Sequence, residues 1–274
     1  MPELPEVETV CRGLNQILHL PVEVEAFELR RKDLRVPIPL QLKKQLPGKK
    51  IEKIWRRAKY LLWEAGEVTL ISHLGMSGSW RLRELGEEPR LHDHIFLHLR
   101  DGRCLAYNDP RRFGLLDAVE KGQEGSSAWL AHLGPEPLDE EAFTADYLWS
   151  LARGRKTKIK NLIMDQRVVV GVGNIYASEA LFLAGVRPGR AAGRLTRREV
   201  ASLVLEIRRI LRQAIDSGGS SIRDFRSALQ HKGDFQEQLQ VYGRGGQPCR
   251  QCGGEIRQAL IGGRSSYWCS QCQT

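Results

Sequence analysis

Four cysteines carry the most specific chemistry in the sequence. Cys249 and Cys252 are two residues apart, sixteen residues follow, and Cys269 and Cys272 repeat the spacing. Each Cys-x2-Cys turn aims two thiolates at one ion, and two such turns complete a tetrahedron, the pattern of structural zinc. No ligand position is left for a substrate or a reactive water, so one structural Zn2+ is the expected cofactor. The same spacing also admits two disulfides or four buried thiols. Between the pairs, Ile256–Trp268 reads as a hairpin bending at Gly262-Gly263-Arg264. An arginine on such a tip is placed either to grip a phosphate or to sit solvated in a turn. Cys11 and Cys104 stand outside the pattern and read as reduced packing residues.

The other chemical concentration is at the start of the chain, Met1-Pro2-Glu3-Leu4-Pro5-Glu6-Val7-Glu8-Thr9-Val10. Proline is tolerated in a first helical turn, and acids there complement the positive end of the helix dipole. Read alone, this is a helix start, continued by the apolar spacing Val10, Leu14 and Ile17-Leu18.

Elements that could position these groups follow from charge and periodicity. Residues 1–146 hold 21 Lys+Arg against 24 Asp+Glu, a net of −3, whereas residues 147–274 hold 21 against 9, a net of +12. The basic excess lies in the second half and favours a polyanionic partner, with a solvated basic surface as the plainer reading. No stretch approaches the roughly 20 apolar residues of a membrane span, and no basic-then-apolar leader opens the chain, so a soluble, cytoplasmic protein is expected.

From about Val22 to Val119 the pattern is short alternating strands, with Asp101-Gly102 as a hairpin turn between Ile95–Arg100 and Arg103–Asn108. A two-sheet sandwich is the expected arrangement. Around Gly134-Pro135-Glu136-Pro137 the pattern changes to helical, most clearly in Arg197–Ile215, where Val200, Leu203, Ile207 and Leu211 share a face. Gly171-Val172-Gly173-Asn174 separates helical stretches at Lys158–Asp165 and Ile175–Ala184, a helix-turn-helix variant with a longer connection. The last thirty or so residues are rich in Gly and Cys, and need a metal to fold.

The N-terminal segment resembles that of formamidopyrimidine-DNA glycosylases, and the resemblance runs through the whole chain. It includes Arg57-Ala58-Lys59-Tyr60, read as a strand, then His73-Leu74-Gly75-Met76-Ser77-Gly78 and Asp109-Pro110-Arg111-Arg112-Phe113-Gly114. Gly171-Val172-Gly173-Asn174-Ile175-Tyr176, Val241-Tyr242-Gly243-Arg244 and the cysteine finger follow in the same order.

This resemblance implies an α+β, two-domain fold: an N-terminal β-sandwich with an N-terminal helix, and a C-terminal helix–two-turns–helix domain with a four-cysteine zinc finger. The expected divisions are a catalytic domain at 1–133, a linker at 134–146, a helix–two-turns–helix domain at 147–240 and the finger at 241–274. It implies a DNA-repair enzyme, a glycosylase and AP lyase for 8-oxoguanine and ring-opened purines in double-stranded DNA, acting as a monomer and associated with the bacterial nucleoid when bound.

Once Met1 is removed, Pro2 would offer a secondary amine. An α-amino group titrates at about 7.7–8.0, which leaves a neutral fraction near physiological pH. Glu3 matches the catalytic acid, Glu6 a second acid, Lys59 the lysine of the elimination steps, and Arg264 the finger arginine of δ-elimination. Met76, Arg111 and Phe113 match an intercalating wedge, which a base-flipping enzyme needs to fill the gap it opens. By residue type alone, Met76 and Phe113 could equally be core. His92, Arg112, Lys156, Lys160 and Asn174 match DNA contacts, with His94 competing with His92 for that place. Ser220, Ser221, Arg223 and Phe225 match a lesion-capping loop. The alternatives are an endonuclease VIII-type enzyme for oxidised pyrimidines and a non-catalytic damage-binding module.

Overall fold

The computed structural model describes residues 1–84, 86–220 and 235–274. These divide into two units: one holds Met1–Ala131 with residues 218–220, and the other His132–Ser217 with Phe235–Thr274.

In the first unit, helix α1 (Leu4–Leu18) starts with Pro5 in its first turn, where a missing N–H removes a donor that has no helical partner. Glu3 stands at the N-cap, and the Glu6 carboxylate accepts the Glu3 N–H at 2.8 Å. Leu4, Val7, Val10, Cys11, Leu14 and Leu18 are buried, the stripe that a 3.6-residue period brings to one face. Burial pushes the Cys11 thiol up to about 12, which makes it an inert packing residue.

Eight antiparallel strands follow: β1 (Val22–Leu29), β2 (Lys50–Arg57), β3 (Tyr60–Ala65), β4 (Val68–His73), β5 (Ser79–Arg83), β6 (Asp93–Leu99), β7 (Cys104–Asn108) and β8 (Leu115–Glu120). A one-turn helix, α2 (Leu42–Gln45), packs on β1. The strand order is β5-β7-β6-β1-β2-β3-β4-β8. The sheet folds at β1, whose first residues pair with β2 (Val22↔Ile51). After a register shift between Val24 and Ala26, β1 runs on with β6 (Leu29↔Ile95). Bulges bend a strand in this way and let one strand serve two sheets. Trp63 on β3 lies 5.1 Å from Trp80 on β5, which lies 5.0 Å from Tyr107 on β7. Both halves therefore share one core, and the expected sandwich is present. Asp101-Gly102 makes its hairpin, with Gly102 at φ 88° and its N–H donating to Leu99 O at 3.0 Å.

The second unit contains α3 (Ala145–Ala152), α4 (Ile159–Met164), α5 (Asn174–Leu183), α6 (Arg197–Asp216) and the hairpin β9 (Ile256–Ile261)–β10 (Arg264–Cys269). Thr144 caps α3, and Thr196 with Glu199 forms a capping box on α6. The α6 face read from the sequence, Val200, Leu203, Ile207 and Leu211, is buried against α5 and α3.

The helices and the finger form a single unit, because buried polar groups join them. The Glu179 carboxylate on α5 accepts the N–H groups of Gln240, Val241 and Tyr242 at 2.7, 2.9 and 2.8 Å, which fixes the chain entering the finger. Phe182 then packs with Val241, Cys249, Ile256 and Cys269. No helix among the described residues is long and apolar enough to cross a membrane.

Candidate active site and nucleic-acid interface

Pro2, Glu3 and Glu6 are all buried at the start of α1, while Met1 is exposed. In the chain as it stands the α-amino group belongs to Met1. Its ammonium is held below the ordinary value by burial, opposed by the carboxylates of Glu3 and Glu6 and assisted by the charges of Lys59 and Arg111. His73 is pushed down to about 4, first by burial and then by the charges of Arg35, Lys59 and the N-terminus. The start of the chain, Glu3, Glu6, Lys59, Arg111 and His73 thus share one electrostatic neighbourhood, from four separate segments.

Lys59 is not on a strand, as the sequence suggested. Ala58 and Lys59 form the two-residue turn between β2 and β3, closed by the Arg57↔Tyr60 pair. Ala58 sits at φ 54°, a left-handed conformation typical of such hairpins, and Lys59 is turned inward and buried. The alternation of residues on either side conceals a turn that lacks glycine. His73 was legible only as part of a motif; no spacing marks its place beside the amine.

Glu6 reaches beyond its own helix. Its Oε1 accepts both the N–H of Ser220, at 2.8 Å, and the Ser220 hydroxyl, at 3.0 Å. Gly219 precedes it at φ 81°, with a would-be Cβ only 3.1 Å from Glu6 Oε1, so glycine serves both the turn and the close approach. The other residues assigned to a capping loop, Ser221, Arg223 and Phe225, lie outside the described residues.

Met76 and Phe113 are 43% and 45% exposed, so neither is core. They occupy two loops in direct contact, since a Cβ on Gly75 would lie 2.3 Å from the Phe113 carbonyl carbon. The Arg111 guanidinium stands 4.9 Å from the centre of the Phe113 ring. Arg112 is exposed with φ 56°, its N–H donating to Asp109 O at 3.2 Å. The two histidines differ in burial. His94 is buried with Nε2 2.9 Å from Asp109 O, whereas His92 is only half-buried.

In the second unit, Lys156 is exposed within a basic stretch that includes Arg153, Arg155 and Lys158. Lys160 departs from expectation. It is fully buried, and its ammonium donates to Asn174 Oδ1 (2.6 Å), Ser266 Oγ (2.6 Å) and Ser265 O (3.1 Å). A buried charge must be met by acceptors, and these three tie α4 to α5 and to the hairpin. Asn174 is the first residue of α5 rather than part of the preceding bend, and its Nδ2 donates to Ser265 O at 3.0 Å. Arg264, next to Ser265, begins β10 and is exposed; the hairpin bend is Gly262-Gly263 alone, at φ 60° and 73°. A Cβ on Gly262 would meet Asn161 Oδ1 at 2.4 Å, so the tip is seated against α4.

The thiols of Cys249, Cys252, Cys269 and Cys272 lie within 4.8 Å of one another, with Cys252–Cys269 at 3.4 Å and Cys249–Cys272 at 3.9 Å. Thiolates about 2.3 Å from a tetrahedral zinc are about 3.8 Å apart. The donor set and its spacing fit one structural zinc, held by these four residues.

Comparison with known proteins gives a consistent assignment. Family profiles match in chain order: the formamidopyrimidine-DNA glycosylase N-terminal domain at residues 1–116, the formamidopyrimidine-DNA glycosylase H2TH domain at 133–226, and the zinc finger found in FPG and IleRS at 246–274. The formamidopyrimidine-DNA glycosylases of Bdellovibrio bacteriovorus and Syntrophotalea carbinolica are each 50% identical over 273 residues, covering the whole of both chains. A Lactococcus lactis FPG mutant solved with Fapy-dG-containing DNA superposes with a TM-score of 0.92 at 37% identity, covering all of both chains. The Lactococcus lactis Fpg complex with abasic-site DNA gives 0.91 at 36%, covering 99% of each. With all three profiles in order and half of its residues shared along its full length, the chain belongs to the formamidopyrimidine-DNA glycosylase family.

Proposed function

We propose that this chain is a DNA glycosylase and AP lyase that removes oxidised purines, 8-oxoguanine and formamidopyrimidines, from duplex DNA. The observation that carries the reading is the neighbourhood at the start of α1, where the α-amino group, two buried carboxylates and Lys59 act on one another. Family membership and the damaged-DNA complexes of its relatives support it.

Removal of Met1 makes Pro2 N a secondary amine in this setting. Its neutral form is the one that attacks, and an α-amino group keeps a neutral fraction near physiological pH. Its lone pair bonds to the anomeric carbon of the flipped nucleotide, and the bond from that carbon to the base breaks. Glu3 delivers the proton that the opening sugar or the departing base requires. The product is a cationic iminium, which acidifies the adjacent sugar C–H. Loss of that proton expels the 3′ phosphate, and a second elimination expels the 5′ phosphate. Lys59 and Arg264 serve these eliminations, and Glu6 holds the Glu3 backbone in place.

Met76, Arg111 and Phe113 fill the space vacated by the base. His92, Arg112, Lys156 and Asn174 grip the backbone, while Ser220 and the loop it opens cap the lesion. The enzyme works as a monomer in the bacterial cytoplasm, on nucleoid DNA.

The test is borohydride trapping on a duplex with one 8-oxoguanine opposite cytosine, followed by mass spectrometry of the cross-linked peptide. An adduct on Pro2 is the expected result. Trapping only on an oxidised-pyrimidine duplex would transfer the chain to endonuclease VIII chemistry, and no trapping on either would reduce it to a binding module.

A further inference from the structure

Asp109 lies at the foot of both wedge loops and is fully buried. Its Oδ1 accepts the Ser77 hydroxyl at 2.7 Å, and its Oδ2 accepts the Gly114 N–H at 2.8 Å. Ser77 Oγ in turn accepts the Arg111 N–H at 3.2 Å. One carboxylate therefore ties the residue after Met76 to the residue after Phe113, and through Ser77 it also fixes the backbone of Arg111.

The main chain of Asp109 is fixed from the sheet side. Its carbonyl lies 2.9 Å from His94 Nε2 and accepts Arg112 N–H at 3.2 Å, and its N–H donates to His92 O at 3.0 Å. The surroundings admit no slack: a Cβ on Gly78 or Gly114 would come within 2.1 or 1.9 Å of the Tyr107 hydroxyl. An apolar side chain held half-exposed in water needs such a frame, since it lacks the core packing that orders a buried one.

We propose that Asp109 is a positioning residue that holds Met76, Arg111 and Phe113 as a preformed wedge, so that the enzyme spends no ordering entropy when it opens the base stack. The proposal rests on the wedge reading given above. It assigns Asp109 no contact with DNA and no part in the bond-making steps. Both carboxylate oxygens act as acceptors; an asparagine keeps both links, its carbonyl accepting the Gly114 N–H and its NH2 donating to Ser77 Oγ, whereas alanine removes both.

The experiment compares Asp109→Ala with wild type in three readouts: single-turnover excision of paired 8-oxoguanine, cleavage at a preformed abasic site, and 2-aminopurine fluorescence beside the lesion as a report of wedge insertion. An abasic sugar has no base to unstack, so its cleavage tests the amine chemistry without the wedge. Excision and the fluorescence amplitude should fall at least about tenfold, the effect of losing both hydrogen bonds of the carboxylate, while abasic cleavage stays within about twofold. Ser77→Ala, which removes the shared hydroxyl from a surface loop, should give the same signature and serves if Asp109→Ala fails to fold.

Unchanged excision and fluorescence in both variants overturns the proposal. So does an equal fall in excision and abasic cleavage, which would mark a general structural role. Borohydride trapping of wild type on abasic DNA reads the underlying mechanism separately, so its failure is distinguishable from failure of the wedge assignment.

Discussion

Ser220 donates twice to a single oxygen of Glu6, through its N–H at 2.8 Å and its hydroxyl at 3.0 Å, while the other oxygen takes the Glu3 N–H. A carboxylate accepts at both oxygens; an amide does not. Glu6→Gln should therefore leave one buried donor facing an NH2 and cost about 1–3 kcal/mol. Chemical denaturation measures the loss, and trapping on 8-oxoguanine DNA should slow in parallel. A variant with wild-type stability and wild-type trapping would show that Glu6 is not the clamp between α1 and residue 220.

Lys160 joins α4 to Asn174 and to the hairpin that bears Arg264. Hydrogen bonds to a charged group contribute roughly 1.5–3 kcal/mol each, so Lys160→Met should lower the melting temperature of the helical unit and weaken DNA binding while bound zinc stays at one equivalent. Calorimetry, fluorescence anisotropy and metal analysis read the three quantities. If stability is unchanged and only the salt dependence of binding becomes shallower, Lys160 is a phosphate contact after all.

Why the burial of Lys160 was not legible in the sequence is a matter of local versus tertiary information. Hairpins, caps and helical stripes are set by neighbours in the chain, and the Asp101-Gly102 turn, the Thr196–Glu199 cap and the α6 face were legible for that reason. The cysteine spacing is likewise local. Nothing in the sequence next to Lys160 marks it as buried; only partners 105 and 106 residues away reveal that. The Glu6–Ser220 contact spans 214 residues and carries no periodic signal at all. Lys59 failed in another way: Ala58 adopts a positive φ without the glycine or asparagine that would have announced a turn. The resemblance supplied residue types at these positions, and the packing supplied what they touch.

The finger has almost no core of its own beyond Val241, Ile256 and their neighbours on α5. Its folding free energy must come largely from the metal. Cys249→Ser, or a strong chelator, should melt β9–β10, release the zinc and lower DNA affinity, with the sheet unit keeping its thermal transition. Zinc-free protein that binds DNA like wild type would refute a structural metal.

The pH response isolates His73. Burial, with Arg35, Lys59 and the N-terminus, lowers it to about 4 against an ordinary value near 6.5, and its Nδ1 accepts the Gly75 N–H at 2.9 Å. The folded value is depressed, so the unfolded chain binds more protons between the two values. Stability is then full above about 6.5 and is lost as pH falls toward about 4. At about 1.4 kcal/mol per unit the loss is about 3 kcal/mol. His73→Asn keeps an acceptor for Gly75 and removes the titration, so its stability should fall less steeply than wild type between pH 6.5 and 4, measured by urea unfolding. Parallel curves would mean that His73 titrates normally. Because His73 stays neutral above that window, it adds no charge beside the N-terminal amine. The acid limb of kcat/KM should then report the amine, and the rate should fall as pH drops through its midpoint.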